Sequence, residues 1–286
     1  MVDKVEKIWL DGEFVDWAEA KLHVLTHSLH YGIGAFEGIR AYQRADGHSY
    51  VFRLREHTER LFDTCKMVLL APKFTREQIM TACVETLKVN KMPEGYIRPV
   101  IFLGEGAMGI YAPNNPVRTT IIAWKWGAYL GEEALKKGIR CKISSFARHH
   151  INVSLAKAKM MGQYTNSVLA KREAKFGGYD EAILLDPNGF VSEGSGENIF
   201  IVKKGVLHTP DLSCSILEGI TRDQLWLSDE CFFTGTAAEV TPVREVDDRS
   251  IGDGNVGPIT KRIQARFFDI VRGSDNSHPE WLTRVS

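Results

Sequence analysis

Apolar residues recur along the chain with two periods, and Gly, Pro, Asn and Asp punctuate the stretches between them. Ile8-Trp9-Leu10, Asp11-Gly12 and Phe14-Val15 predict a hairpin on an Asp-Gly turn. Over 55–70, Leu61, Phe62, Cys65, Val68 and Leu69 form a helical stripe. Thr75 with Gln78 three residues on, ahead of Ile79, Val84 and Leu87, has the form of a capping box opening a second helix. YIRPVIFL at 96–103 and TTIIAWKW at 119–126 are β-rich. Composition shifts over 127–138, which predicts a linker between a domain at 1–126 and a larger one at 139–286. The second half starts with a strand at 139–146. A helix follows with Val168, Leu169 and Ala174, ending at Gly177-Gly178. An apolar strand at 181–185 turns through Asp186-Pro187-Asn188-Gly189, and a hairpin runs through 198–202 and 206–207. Phe232, Phe233 and Val240 flank GTAAE, and a last helix carries Ile263, Phe267, Ile270 and Val271 before Gly273. Strands with helices beside them predict an α+β protein of two domains.

Composition narrows the function classes. A length of 286 residues suffices for two modest cores, and 44% hydrophobic with 25% charged residues is ordinary for a globular protein and excludes a disordered module. A formal net charge of zero gives no field favouring nucleic acid or an anionic membrane. No apolar run reaches the roughly 18 residues of a membrane span, and the first residues do not read as a signal peptide. Five scattered cysteines without a CxxC pair suit reduced thiols in a cytoplasm. His149-His150, as neighbours on a strand, would point to opposite faces, and no carboxylates join them, so no metal site is expected. Walker and dinucleotide glycine loops are missing.

Candidate chemistry centres on SLAKAKMMGQY at 154–164. Lys157 and Lys159 lie among small and apolar residues with no acid nearby. A lysine so placed loses solvation of its charged form, its pKa falls, and the neutral amine can act as nucleophile or base. The commoner reading is a surface lysine pair before a helix. SLHYGIGAFEGIR at 28–40 reads equally as a closely packed strand or as a ligand wall, with Tyr31 and Phe36 as apolar surface and Gly38 admitting a close approach. Arg60, beside the first helical stripe, would ordinarily be solvated.

In order along the chain stand HYGIGAFEGIR (30–40), HTERL (57–61), SLAKAKMMGQYTNS (154–167), FVSEGSGEN (190–198), ILEGITRD (216–223) and GTAAEVTPV (235–243). This set resembles the fold-type IV pyridoxal-phosphate (PLP) enzymes. FEGIR with GTAAE resembles the branched-chain amino acid aminotransferases among them, and the resemblance runs from about Ile8 to Leu282. It implies a two-domain α+β fold with the cofactor in the cleft between domains, PLP as cofactor, and a homodimer or higher homo-oligomer. The implied reaction is reversible, ping-pong transfer of an amino group between L-leucine, L-isoleucine or L-valine and 2-oxoglutarate, with L-glutamate and 2-oxo acids as the other small-molecule partners. The fold's other activities, D-amino acid or amine transamination or a lyase reaction, are the alternatives, beside a non-catalytic remnant.

The resemblance also implies roles. Lys159, five residues before Tyr164, is the Schiff-base lysine, and Lys157 has no chemical role. Tyr164 serves the cofactor's phenolic oxygen and Glu193 its pyridine nitrogen, where a carboxylate favours the protonated, electron-withdrawing ring. Arg60, the helix start at Gly219, Ile220 and Thr221, and the small residues Gly235 and Thr236 take the phosphate, with Leu217 against the ring. Tyr31, Phe36, Gly38, Trp126 and Tyr129 line the branched-chain pocket, and Arg98 pairs with the glutamate side-chain carboxylate. Tyr96 with the amides of Thr236 and Ala237 holds the α-carboxylate. Tyr31 and the 108–110 loop, with Met108 and Ile110, complete the neighbouring subunit's site.

One departure from the family pattern follows Asp223. There Thr221-Arg222-Asp223 runs straight into Gln224-Leu225-Trp226, roughly twenty residues short of the pattern, about one helix plus one strand. Either the protein has lost these elements, or the chain as written leaves out a stretch that the protein has. The intact flanking motifs favour the second. An intact mass of 32.2 kDa would decide for the first.

Overall fold

The Asp11-Gly12 turn forms as expected, with both residues at positive φ (51° and 109°), and closes β1 (Lys7–Leu10) onto β2 (Glu13–Asp16). The structure is a computed structural model describing residues 3–127, 130–210 and 221–285. Among these, the first sheet also holds β3 (Gly34–Phe36), β4 (Ile39–Gln43), β5 (Ser49–Phe52), β6 (Gly95–Leu103), β7 (Val117–Trp124) and β16 (Leu282–Arg284). Its order is β16-β5-β4-β6-β7-β1-β2, with β3 also on β6, and every pairing is antiparallel. The helix α1 (His27–Tyr31) precedes β3, so the 28–40 segment is a helical turn and two strands rather than one strand.

Two longer helices cover this sheet. The helix α2 (Leu54–Met67) buries Leu54, Thr58, Leu61, Thr64 and Cys65. It stops at Met67, two residues short of the end of the sequence stripe: Val68 still packs against the core, but Leu69 takes a left-handed conformation and is 92% exposed. The capping box at Thr75 and Gln78 opens α3 (Arg76–Val89). Ile39, Leu61, Ile79, Leu87, Ile97, Ile101 and Ile121 share one buried cluster, each worth roughly 1.5–3 kcal/mol of burial.

The second sheet holds β8 (Ile139–Ile143), β9 (Glu181–Leu185), β10 (Val191–Gly194), β11 (Asn198–Lys203), β12 (Val206–His208), β13 (Glu230–Gly235), β14 (Glu239–Val246) and β15 (Arg249–Ser250). Its order is β10-β9-β8-β14-β13-β11-β12, with β15 on β14. The strand β8 is parallel to both β9 and β14. Every residue of β9 is buried, because Ile183 and Leu185 enter the main core while Ala182 and Leu184 pack under Ala170 and Ala174 of α5 (Tyr164–Phe176). The helix expected from Val168, Leu169 and Ala174 forms; of these Ala174 is buried, while Val168 and Leu169 are exposed. The remaining helices are α4 (Glu132–Lys137), α6 (Arg222–Trp226) and α7 (Pro258–Arg272), which ends before Gly273 at φ 98°. No described helix is long and apolar enough to cross a membrane.

The chain forms two units. The first comprises Met1–Trp126, Leu155–Gln163 and Asp269–Ser286; the second comprises Gly127–Ser154 and Tyr164–Phe268. The division departs from the sequence reading in two places. The stretch 127–138 is no free linker, since Ala134 of α4 joins the second core. The lysine stretch and the last residues belong to the first unit rather than the second, tied by backbone hydrogen bonds to β3 and by β16 to β5.

Candidate active site

In the first unit the site grows from a gap in a β ladder. The strand β6 pairs with β4 at Gly95–Ile97 and with β3 at 100–102, so its neighbour changes at Arg98 and Pro99. Proline has no N–H to give a ladder, and here it sits where none is asked for; its carbonyl accepts from Glu37 N at 3.0 Å. Opposite the gap stand Glu37 and Gly38. A Cβ on Gly38 would lie 1.7 Å from the Tyr96 hydroxyl, so glycine is required there for tyrosine's approach.

Lys159 is fastened to the same place by its backbone. Its N–H donates to the buried Thr64 Oγ1 (3.0 Å) and its carbonyl accepts from Phe36 N (3.2 Å). Ala35 bridges Met160, and Gly162 N donates to Gly32 O at 3.0 Å. This contact needs glycine at 32, where a Cβ would lie 2.8 Å from Gly162 Cα. The Lys159 Nζ lies 5.2 Å from the Phe36 ring centre. Lys159 is half-buried, whereas Lys157 is exposed.

Glu37 organises the next layer. Its carboxylate is 0% exposed and accepts a two-point fork from Arg60, at 2.5 Å from Nε and 2.8 Å from Nη2. His57 Nδ1 donates at 2.9 Å. Burial by itself would raise the Glu37 pKa, but the hydrogen bonds and charges of His57 and Arg60 outweigh it and hold the carboxyl at about 2. The fork fixes Arg60, whose side chain is otherwise 51% exposed.

Arg98 lies in an aromatic box, its guanidinium 4.7 Å from the Phe36 ring centre, 5.2 Å from Tyr96 and 5.6 Å from Trp124. It donates to the Tyr96 hydroxyl at 3.0 Å, and Trp126 packs edge-on to Tyr96 at 4.7 Å. Among the described residues its buried Nε has no hydrogen-bond partner, a cationic donor that an incoming anion would satisfy. Tyr31 donates to Met108 O (2.7 Å) and His27 Nε2 to Gly109 O (2.9 Å), which holds the 108–110 loop with Ile110 88% exposed.

The second unit carries the other candidates. Tyr164 is the first residue of α5 and is half-buried. Glu193 sits at a bulge of β10 and makes an ion pair with Arg148 Nε at 2.6 Å, although that N–H is not aligned for a hydrogen bond; Arg148 Nη1 donates to Ser167 Oγ at 3.1 Å. Thr236 and Ala237 occupy the tight turn between β13 and β14, closed by Gly235 opposite Glu239, whose φ is 56°. Glu197 is buried beside Gly235, and burial, then the charge of Glu181, pushes its carboxyl up to about 8. Thr221 caps α6 through a box with Gln224, which assigns 221–223 to the five-residue helix that follows. Tyr129, Leu217, Gly219 and Ile220 lie outside the described residues.

Sequence reasoning missed Glu37, His57 and Arg148. A charged residue between Phe36 and Gly38 in an otherwise apolar, glycine-rich stretch, and His57 three residues before Arg60 on one helix face, were the available signals.

The first unit thus carries an amine and guanidinium groups, and the second a phenol and carboxylates. The family model for amino-transferase class IV matches residues 34–246. The chain is 47% identical to a branched-chain-amino-acid aminotransferase of Pseudomonas aeruginosa, covering 100% of this chain and 99% of that protein. It is similar to the crystal structure of the Escherichia coli branched-chain amino acid aminotransferase at TM-score 0.95 and 42% identity, over 99% of this chain and 100% of that one. It is also similar to the T.th. branched-chain amino acid aminotransferase complexed with N-(5'-phosphopyridoxyl)-L-glutamate, at TM-score 0.93 and 43% identity, over 99% of each chain. The chain therefore belongs to the class IV aminotransferases and, within them, to the branched-chain-amino-acid aminotransferase family. The Pseudomonas alignment runs over 305 positions against the 286 residues of this chain, so at least 19 of them have no counterpart here.

Proposed function

We propose that this chain catalyses PLP-dependent transfer of an amino group between branched-chain L-amino acids and 2-oxoglutarate, with Lys159 as the residue that binds the cofactor and moves the proton. The observation that carries this reading is Lys159, pinned through both backbone groups beside Phe36, on the unit where Arg98 holds a buried, unpartnered Nε in an aromatic box.

The residues fit the cofactor by their chemistry. On the first unit Lys159 supplies an amine and Arg60 a guanidinium suited to phosphate; on the second, Glu193 supplies a carboxylate suited to the ring nitrogen, Tyr164 a phenol, and the 235–237 turn backbone amides. When bound, PLP withdraws electrons from the substrate's Cα. With the cofactor bound, the Lys159 amine would take the proton from the substrate's Cα as general base and give it back as general acid. Rigid backbone anchoring matters here, because proton transfer needs hydrogen-bond reach. Arg98 and Tyr96 orient carboxylates, and the aromatic wall of Phe36 and Trp126 favours branched apolar side chains over water. Tyr31 and the 108–110 loop complete the site of a second copy, making the enzyme at least a dimer, and it works in the cytoplasm.

The test is an absorption spectrum of the purified protein before and after L-leucine, repeated for K159A and K157A. A visible band that L-leucine bleaches, lost in K159A and kept in K157A, is the expected result. A band that D-alanine bleaches and L-leucine does not would overturn the substrate class. A band that survives K159A would overturn the lysine.

A further inference from the structure

We infer that Glu37 is a positioning residue for the cofactor phosphate, acting only by fixing the guanidinium of Arg60. The inference rests on the reading of Arg60 as a phosphate ligand and adds to it a residue whose part is indirect.

The geometry singles out Glu37. A wholly buried carboxylate is costly unless every charge is matched, and removing one partner of such a pair leaves the other exposed to that cost. Here Arg60 supplies the match through two parallel N–H bonds and His57 through a third, with the Gly38 N–H also directed at Oε2 (3.3 Å). Both donors come from one face of α2, three residues apart, while Glu37 comes from the break between β3 and β4. The ladder gap therefore ties the helix to the sheet and sets the orientation of Arg60 together.

The consequence for binding follows from the shape of the guanidinium. Arginine grips phosphate with a rigid planar fork. Glu37 holds the Nε–Nη2 edge, so the plane and direction of the remaining edge are set before an anion arrives. Ordering a half-exposed arginine otherwise weakens association, because an immobilised long side chain costs rotamer freedom. Against this stands the negative charge of Glu37, which repels a phosphate. The two effects have opposite signs, and that makes the inference testable. If orientation governs, a neutral glutamine loosens PLP. If charge governs, the same glutamine tightens it.

The experiment titrates PLP into the full-length protein stripped of cofactor, following protein fluorescence, and records the 31P shift of bound PLP. It compares wild type with E37Q, R60A and the double variant. The expected result is a Kd raised about tenfold in E37Q, more in R60A, and no further in E37Q/R60A than in R60A, because residues acting through one another are not additive. The 31P shift should move the same way in both single variants. An E37Q effect that persists in full on the R60A background overturns the inference, as does an unchanged or lowered Kd in E37Q. If R60A itself leaves Kd unaltered, the phosphate reading of Arg60 fails first, and the inference falls with it. Should E37Q fail to fold, E37D keeps the charge and withdraws it by one methylene; wild-type affinity in E37D would also overturn the inference.

Discussion

Glu37 shows how a single side chain couples stability to pH. Its carboxyl ordinarily titrates at 4.5 and in the fold is held at about 2, so the folded state prefers it ionised. The stabilisation is fully present above 4.5 and is lost as pH falls from there towards 2, on the order of 3 kcal/mol in all. Wild type should therefore lose more stability than E37Q between those values, measured by urea unfolding at stepped pH. Equal losses would show that Glu37 is not held as described. Glu197 works with the opposite sign. Buried near Glu181 and raised to about 8, it favours folding when protonated, and its penalty grows as pH rises from 4.5 through 8. Most of these residues were visible in the sequence as letters, but their partnerships were not. Glu37 lies 20 residues from His57 and 23 from Arg60, a separation that no local pattern spans.

At the scale of elements, signals that depend on neighbours in sequence were legible. The Asp-Gly hairpin and the Thr75–Gln78 box formed where they were read, because turns and caps are set by a few adjacent residues. The helix α5 also formed where its pattern was read, but which face is buried was settled by packing: Ala170 and Ala174 lie against Ala182 and Leu184, and Val168 and Leu169 turn outward. The end of α6 nearest the departure from the family is informative. Leu225 is 0% exposed within the second core, and Thr221 caps the helix, so these five residues serve packing. Leu225→Ala should cost about 2–5 kcal/mol, read by thermal or urea unfolding. A loss under about 1 kcal/mol would mean that α6 is not seated as the structure shows.

The 108–110 loop is held by His27 and Tyr31 with Ile110 and Tyr111 turned outward at 88% and 85% exposure, a surface suited to a second copy. Sedimentation should return at least twice the 32.2 kDa of one chain, and a monomer mass would remove the dimer from the proposed function. The sequence by itself determined the family, the Asp-Gly hairpin and the Thr75–Gln78 cap, because motif order and short-range turn and cap chemistry are written in contiguous residues. Only the tertiary structure decided that the lysine stretch and the last residues join the first unit. It alone placed Pro99 at a ladder gap and Glu37 opposite that gap, where it holds Arg60. Those outcomes depend on which strands become neighbours, and strand pairing is settled by burial and hydrogen bonding between segments far apart in the chain.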